Sequence, residues 1–299
     1  MRISIFGGEQ PTLDAAVEAA GQVEAEGFHG FHVPQIFGLD ALTTLAVVGR
    51  QVPRIELGTG VVPTYPRHPM MLAAQALTTQ MASDGRLLLG IGLSHQVVIE
   101  SMFGMSFDKP ARHMREYLSI LMPLLNGEPV AFEGETLSAN GSLGIQGVDA
   151  PAVAVAALGP LMLKLAGRMT DGTVTWMTGP ATLAEHTVPT ISAAAAEAGR
   201  PAPRIVVGLP VCVTDDVDGA RERAAKMFAM YGFLPSYRAM LDREGAEGPA
   251  DVAIVGDEAA VAAGIKRVAD AGATDFSAAE FAVGVDEKRR TRELLRTLV

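Results

Sequence analysis

The sequence predicts an α/β protein, a single-domain (β/α)8 TIM barrel with insertions, on three observations. Apolar runs of strand length alternate with amphipathic helical stretches along the whole chain. The alternation repeats eight times, at about 37 residues per unit, which suits a closed barrel. The first strand-to-helix turn reads FGGEQP and has no third glycine opening a helix, whereas an open doubly wound sheet would carry its dinucleotide fingerprint there. At 299 residues the chain could form two domains, but barrels commonly reach this size as one. One domain over residues 1–299 is therefore expected.

The elements follow in order. Residues 2–6 read as a short strand. A helix starts near Thr12, shows Leu13, Ala16, Val17, Ala20 and Val23 on one face, and stops at Gly27. Residues 28–33 form the second strand, and Asp40 caps a helix through Leu42, Leu45, Ala46 and Val48. The stretch IELGTGVV supplies a third strand, broken by Gly58, Thr59 and Gly60 where a side chain would obstruct close approach. Such a strand ends in a pocket rather than a plain turn. Residues 68–82 form a helix with Pro69 in its first turn, stopped by Ser83, Asp84 and Gly85. Residues 86–91 then complete a strand–helix–strand unit, the signature of a parallel sheet. Pro110 opens a helix through Met114, Tyr117, Leu118 and Leu121. Residues 127–147 break the pattern as a hairpin excursion punctuated by Gly127, Gly134, Asn140, Gly141 and Gly144. Strands at 151–158, 172–177 and 204–213 alternate with helices at 160–167, 182–198 and 216–230. Residues 231–250 carry glycine, proline and mixed charge, as expected of a mobile loop or an irregular helical insert. Asp257 caps a helix that Gly272 ends, residues 274–281 form the last strand and 286–299 the last helix.

Composition narrows the function. Hydrophobic residues make up 48% and charged residues 19% of the chain, enough for a large core. A formal net charge of −10 without any basic run disfavours nucleic acid and anionic membrane as partners. Cys212 is the single cysteine, which excludes an intramolecular disulfide or a cysteine metal cage and reads as a small buried residue of a strand. The opening MRISIFGG is too short an apolar run for a secretory signal, and no stretch reaches the roughly 18 apolar residues of a membrane helix. A cytoplasmic location is the expectation.

In a barrel the chemistry belongs at the C-terminal ends of the strands. Those ends carry Val33-Pro34-Gln35, Thr59-Gly60-Val61-Val62-Pro63-Thr64, Gly92-Leu93-Ser94-His95, Ala156-Ala157-Leu158-Gly159-Pro160 and Trp176-Met177-Thr178-Gly179. They are small, apolar and rich in free amides, and none offers an Asp or Glu to a metal. A planar, largely apolar cofactor held by backbone and shape suits them better. Pro160 fits a first helical turn, so the amides of Leu158, Gly159 and their neighbours can point at an anion.

The order LGTGVVPTYPRHP, helix, DGRLLLGIGLSH, VAALGPLMLKLAGRMTDGTVTWM and, later, VGDEAAVAAGIKRVADAGATDF resembles the bacterial luciferase-like family, in its branch of coenzyme F420-dependent oxidoreductases. The resemblance spans nearly the whole chain, and the excursion after residue 126 falls where members carry an insertion. It implies F420, or alternatively FMN, at the barrel mouth. It also implies a non-proline cis peptide at Gly60-Val61 behind the central ring, and a cofactor phosphate on Ala157-Leu158-Gly159-Pro160. Gln35, Pro63, Thr64, Ala156 and Trp176, at the same strand ends, complete the candidate cofactor-binding set.

Two departures bear on mechanism. Sugar-phosphate dehydrogenases of this family carry an Asp-His pair where this chain has Gln35-Ile36, and a catalytic Glu where His95 stands. That acid/base apparatus is not copied, so reduction of an activated C=C, imine or similar acceptor is expected ahead of alcohol oxidation. His95 is the candidate proton donor, because imidazole titrates near neutral pH, and His68 in PRHP is a second candidate at the substrate. Tyr65 and Arg67 are candidates for orienting a small-molecule substrate. His29, His32, His113 and His186 are expected to be structural or exposed, and Arg112, Arg115 and Glu116 to form a solvated face. Two other readings stay open: an FMN-dependent monooxygenase of the same family and a non-catalytic flavin or deazaflavin-binding protein. A homodimer is common among such relatives, though no stretch of this sequence singles out an interface.

Overall fold

Twelve strands are present in the computed structural model, which describes residues 1–299: β1 (Arg2–Phe6), β2 (Gly30–Val33), β3 (Glu56–Thr59), β4 (Val62–Pro63), β5 (Leu87–Gly92), β6 (Val130–Glu133), β7 (Ser138–Gly141), β8 (Ala152–Ala156), β9 (Gly172–Trp176), β10 (Arg204–Val213), β11 (Ile254–Gly256) and β12 (Asp275–Glu280). The order β1-β2-β3-β5-β8-β9-β10-β12 returns to β1, and every pairing is parallel. This is the closed eight-stranded barrel that the alternation predicts. No helix is long and apolar enough to cross a membrane.

Local sequence starts the helices where expected. Thr12, Asp40 and Asp257 each accept a hydrogen bond from an amide of the first turn, at 3.1, 2.8 and 2.8 Å, relieving donors that no helix can satisfy itself. Pro69, Pro110 and Pro160 each begin a helix, where a missing N–H is harmless.

Strand alternation sorts the side chains. The main core lies between the sheet and the helix ring and includes Ile3, Ile5, Leu57, Leu89, Val153, Val155, Val207 and Phe276. The barrel interior holds a separate small apolar cluster, Leu88, Ala154 and Val206. Beside it, His32 Nδ1 meets the Ser277 hydroxyl at 3.0 Å. Below, at the strand starts, Arg204 makes paired hydrogen bonds to Glu56 (2.9 and 2.9 Å) and to Asp275 (3.3 and 2.6 Å), and Arg2 reaches Glu56 at 3.2 Å. Four residues from β1, β3, β10 and β12 thereby plug the closed end.

The cis Gly60-Val61 bond, the hairpin after residue 126 and a helical insert at 231–250 follow the sequence reading, while the split third strand, an extra short strand and the place of Glu116 depart from it. The third strand is two pieces, β3 and β4, separated by a cis peptide at Gly60-Val61. β11, a short strand on the far half of β10, had no separate signal. Residues 130–141 form an antiparallel hairpin of β6 and β7. The 231–250 stretch is helical, with Pro235–Glu244 as an α-helix and Pro249–Val252 as a 3-10 turn. Glu116 is not on a solvated face: it is 4% exposed and takes hydrogen bonds from the Glu135, Thr136 and Leu137 amides and the Thr136 hydroxyl at 2.7–3.1 Å. Burial pushes its carboxyl pKa up, but the Thr136 and Leu137 donors prevail and hold it below the ordinary value.

Candidate cofactor site

The mouth of the barrel is floored by alternating large and absent side chains. Phe6, ending β1, lies against Trp176, ending β9, with ring centroids 5.8 Å apart and planes 25° from parallel. These strands are not neighbours, so the contact crosses the barrel axis. A Cβ on Gly60 would sit 3.1 Å from the Phe6 ring, and one on Gly208 3.0 Å from the Trp176 ring. The cis peptide turns Val61 onto β5, where a Cβ on Gly92 would meet Val61 Cγ2 at 2.8 Å and Ala156 Cβ at 3.1 Å. Gly60, Val61, Ala156 and Trp176, four of the residues singled out in the sequence, therefore belong to one continuous surface. The glycines are required there, because any larger residue at 60, 92 or 208 would crowd the neighbouring side chain.

One edge of this floor is rich in unused donors. Gly159 precedes the helix Pro160–Met169 with extended backbone angles and no side-chain cap. The amides of Leu158, Gly159, Leu161 and Met162 make no hydrogen bond within the chain, and a Cβ at Gly159 would find nothing within 4 Å. The Leu158 carbonyl is held from behind by His186 Nε2 at 2.8 Å. The next strand end offers an instructive contrast. There Gly179-Pro180 opens a similar turn, but Glu244 fills it, accepting from the Ala181 and Thr182 amides at 3.1 and 2.7 Å. Of two neighbouring helix starts, the chain's own carboxylate satisfies one and the other stays open to an anion.

His95 lies in the turn after β5 and precedes a short helix without a side-chain cap bond to it. No side chain of the protein hydrogen-bonds its ring, which instead packs edge-on against Tyr237 at 5.8 Å. Burial lowers its pKa, so the ring is neutral at neutral pH and presents one N–H donor and one acceptor. His68 is engaged differently. Its Nδ1 accepts from the Met70 amide at 3.3 Å, capping the helix Pro69–Ala82, and its Nε2 meets the Ser138 carbonyl at 3.1 Å, tethering the hairpin. Both ring nitrogens are thus committed to structure.

The other strand-end residues brace the rim. Gln35 Oε1 accepts from the Ala41 amide at 2.7 Å and from Arg67 at 3.4 Å, while Arg67 pairs with Asp40 and Gln75. Pro63 pairs with Gly92 across the β4–β5 ladder. The Thr64 hydroxyl meets His113 Nε2 at 3.1 Å, and Tyr65 stacks on His113 at 4.0 Å with planes 4° apart. Burial drives the His113 pKa down to about 4, so this histidine is a neutral packing element. Tyr65 and Arg67, read from sequence as substrate-orienting, are here held by neighbours. The aromatic lining supplied by residues 228–237 was missed, because nothing in that glycine- and charge-bearing stretch reveals that it folds back over the mouth.

A planar heterocycle with a phosphate tail fits these groups: a floor of small side chains that admits close approach, and an open helix start. The luciferase-like monooxygenase profile matches residues 2–299. An uncharacterized protein of Mycobacterium tuberculosis is 30% identical over 259 residues, covering 82% of this chain and 76% of its own. The 5,10-methylenetetrahydromethanopterin reductase of Methanolobus tindarius is 30% identical over 254 residues, covering 84% and 76%. Among solved structures, the coenzyme F420-dependent tetrahydromethanopterin reductase of Methanopyrus kandleri superposes with a TM-score of 0.81 at 22% identity, covering 100% of this chain and 98% of that one.

Proposed function

We propose that this chain, which belongs to the luciferase-like monooxygenase family, is an oxidoreductase that uses coenzyme F420 to transfer a hydride to a small organic substrate. The observation that carries the reading is the adjacency of the small-residue Gly60–Val61–Gly92–Ala156 floor to the uncapped helix start at Gly159, one suited to close approach of a ring and the other to its phosphate. The 5,10-methylenetetrahydromethanopterin reductase relative, whose substrate is named as a methylene compound, supports reduction as the direction.

When bound, F420 supplies hydride chemistry at C5 of its deazaflavin ring. The chain's own tasks are to hold the ring, keep water from it and align the acceptor. Gly60, Val61 and Ala156 leave room for close approach of the ring, and Phe6 and Trp176 shield it. Leu158, Gly159, Leu161 and Met162 direct amides at the phosphate. Neutral His95 offers an N–H hydrogen bond to the acceptor, and water supplies the proton that follows the hydride in this reading. Ile36, Phe37, Met102, Phe103 and Phe233, on loops after β2, β5 and β10, are exposed by 43–85% and give the rim an apolar character suited to an uncharged substrate. His68 and Gln35 support the frame of the site from its edge.

Stopped-flow oxidation of reduced F420 by the purified protein, against a panel of enones, imines and ketones plus oxygen alone, tests the assignment. Turnover with an enone or imine, independent of oxygen, is the expected result. Oxygen-dependent turnover with reduced FMN would move the protein to the monooxygenase reading, and cofactor binding without turnover on any acceptor to a binding protein.

A further inference from the structure

The stretch between β10 and β11 brings two tyrosines over the mouth. Its helix Pro235–Glu244 is fixed to the turn after β9 at two points: Glu244 caps the Ala181 and Thr182 amides, and the Thr182 hydroxyl donates to the Met240 carbonyl at 3.2 Å. From that anchored helix a run of ring contacts crosses the mouth. Trp176 meets Tyr231 at 6.0 Å, Tyr231 meets Tyr237 at 4.9 Å, and Tyr237 meets His95 at 5.8 Å. The run begins at the end of β9 and finishes at the end of β5. The strand between those two in the barrel is β8, whose end carries the open amides of Leu158 and Gly159.

We propose that Tyr237 is a cofactor-binding residue, its hydroxyl donating a hydrogen bond to an acceptor oxygen of the bound deazaflavin nucleotide. The inference rests on the F420 assignment above. Tyr237 is held among aromatic rings, yet its hydroxyl bonds no group of the chain and is not among the polar atoms sealed from solvent. A phenol in such surroundings ordinarily finds an acceptor. Tyr65 shows the alternative: its hydroxyl is also unpartnered, but it is sealed within the protein, where no ligand reaches it. Burial raises the Tyr237 pKa far above the working range, so the group keeps its proton and acts as a donor. His95, Tyr237 and the open amides after β8 thus belong to neighbouring strand ends of one barrel mouth, an arrangement suited to a ligand bearing several acceptor oxygens.

Fluorescence titrations of the cofactor-free protein, its Tyr237→Phe variant and its Tyr237→Ala variant test the proposal, each with F420 and with the phosphate-free deazaflavin riboside. Tyr237→Phe keeps the ring contacts with His95 and Tyr231, so its melting temperature stays that of the wild type. Its affinity for F420 is expected to fall about 5-fold, the size of one lost hydrogen bond, and that of Tyr237→Ala to fall further. An equal loss for both ligands supports an acceptor on the ring or its polyol, and a loss for F420 alone supports the phosphate. Wild-type affinity in Tyr237→Phe would overturn the proposal while leaving the F420 assignment intact. A wild type that binds neither ligand would overturn both.

Discussion

Gly159 separates fold from function more cleanly than any other residue of the site. Its φ of −76° suits any amino acid, and a Cβ there meets nothing within 4 Å. An Asp at this position would also be a favourable N-cap for the helix Pro160–Met169. Gly159→Asp is therefore expected to keep or slightly raise the melting temperature, yet to weaken F420 at least about 10-fold by placing a carboxylate where the phosphate belongs. The riboside without phosphate should bind the variant like the wild type. An undiminished F420 affinity would remove the phosphate from this turn. Gly90 is the opposite case, since a Cβ there would lie 2.0 Å from the Thr59 carbonyl oxygen, a backbone atom that cannot step aside. The two glycines look alike in the sequence and differ only in what surrounds them.

At the scale of elements, the hairpin of β6 and β7 shows how an excursion from the barrel is held in place. Glu116 gathers three amides and one hydroxyl of its turn, and His68 takes the Ser138 carbonyl. Glu116→Ala leaves those half-exposed donors without their acceptor and is expected to cost about 1 to 2 kcal/mol in urea unfolding, with F420 affinity within about 2-fold of the wild type. A change confined to affinity would mean that the hairpin shapes the site directly. The hairpin itself was legible, because Gly127, Gly134 and Gly141 punctuate a stretch too short for another barrel unit. Its anchor was not, since a Glu beside two Arg on a helix reads as solvated until the hairpin turn is placed against it. The stretch 231–250 was legible only as irregular. The role proposed for it rests on Tyr231 and Tyr237 reaching Trp176 and His95, contacts between residues far apart in the chain that no local pattern encodes.

At the level of the whole molecule, the closed barrel carries a charged plug at its strand starts. Arg204→Met would leave Glu56 and the 1%-exposed Asp275 without their shared partner. A loss of about 3 to 5 kcal/mol in thermal or urea unfolding is expected, the cost of uncompensated buried charge. Stability unchanged by this substitution would show that Arg2 alone suffices. The eight-fold alternation made the barrel readable from sequence, and with it the strand ends where a cofactor belongs. The plug was hidden, because Arg2, Glu56, Arg204 and Asp275 are scattered along the chain and meet only once the sheet closes. We propose that the opposite end of this barrel binds F420. Parallel fluorescence titrations of the cofactor-free protein with F420 and with FMN, at matched ionic strength, test it most directly. Micromolar or tighter F420 binding with negligible FMN binding is the predicted result, and a preference for FMN, or binding of neither, would contradict it.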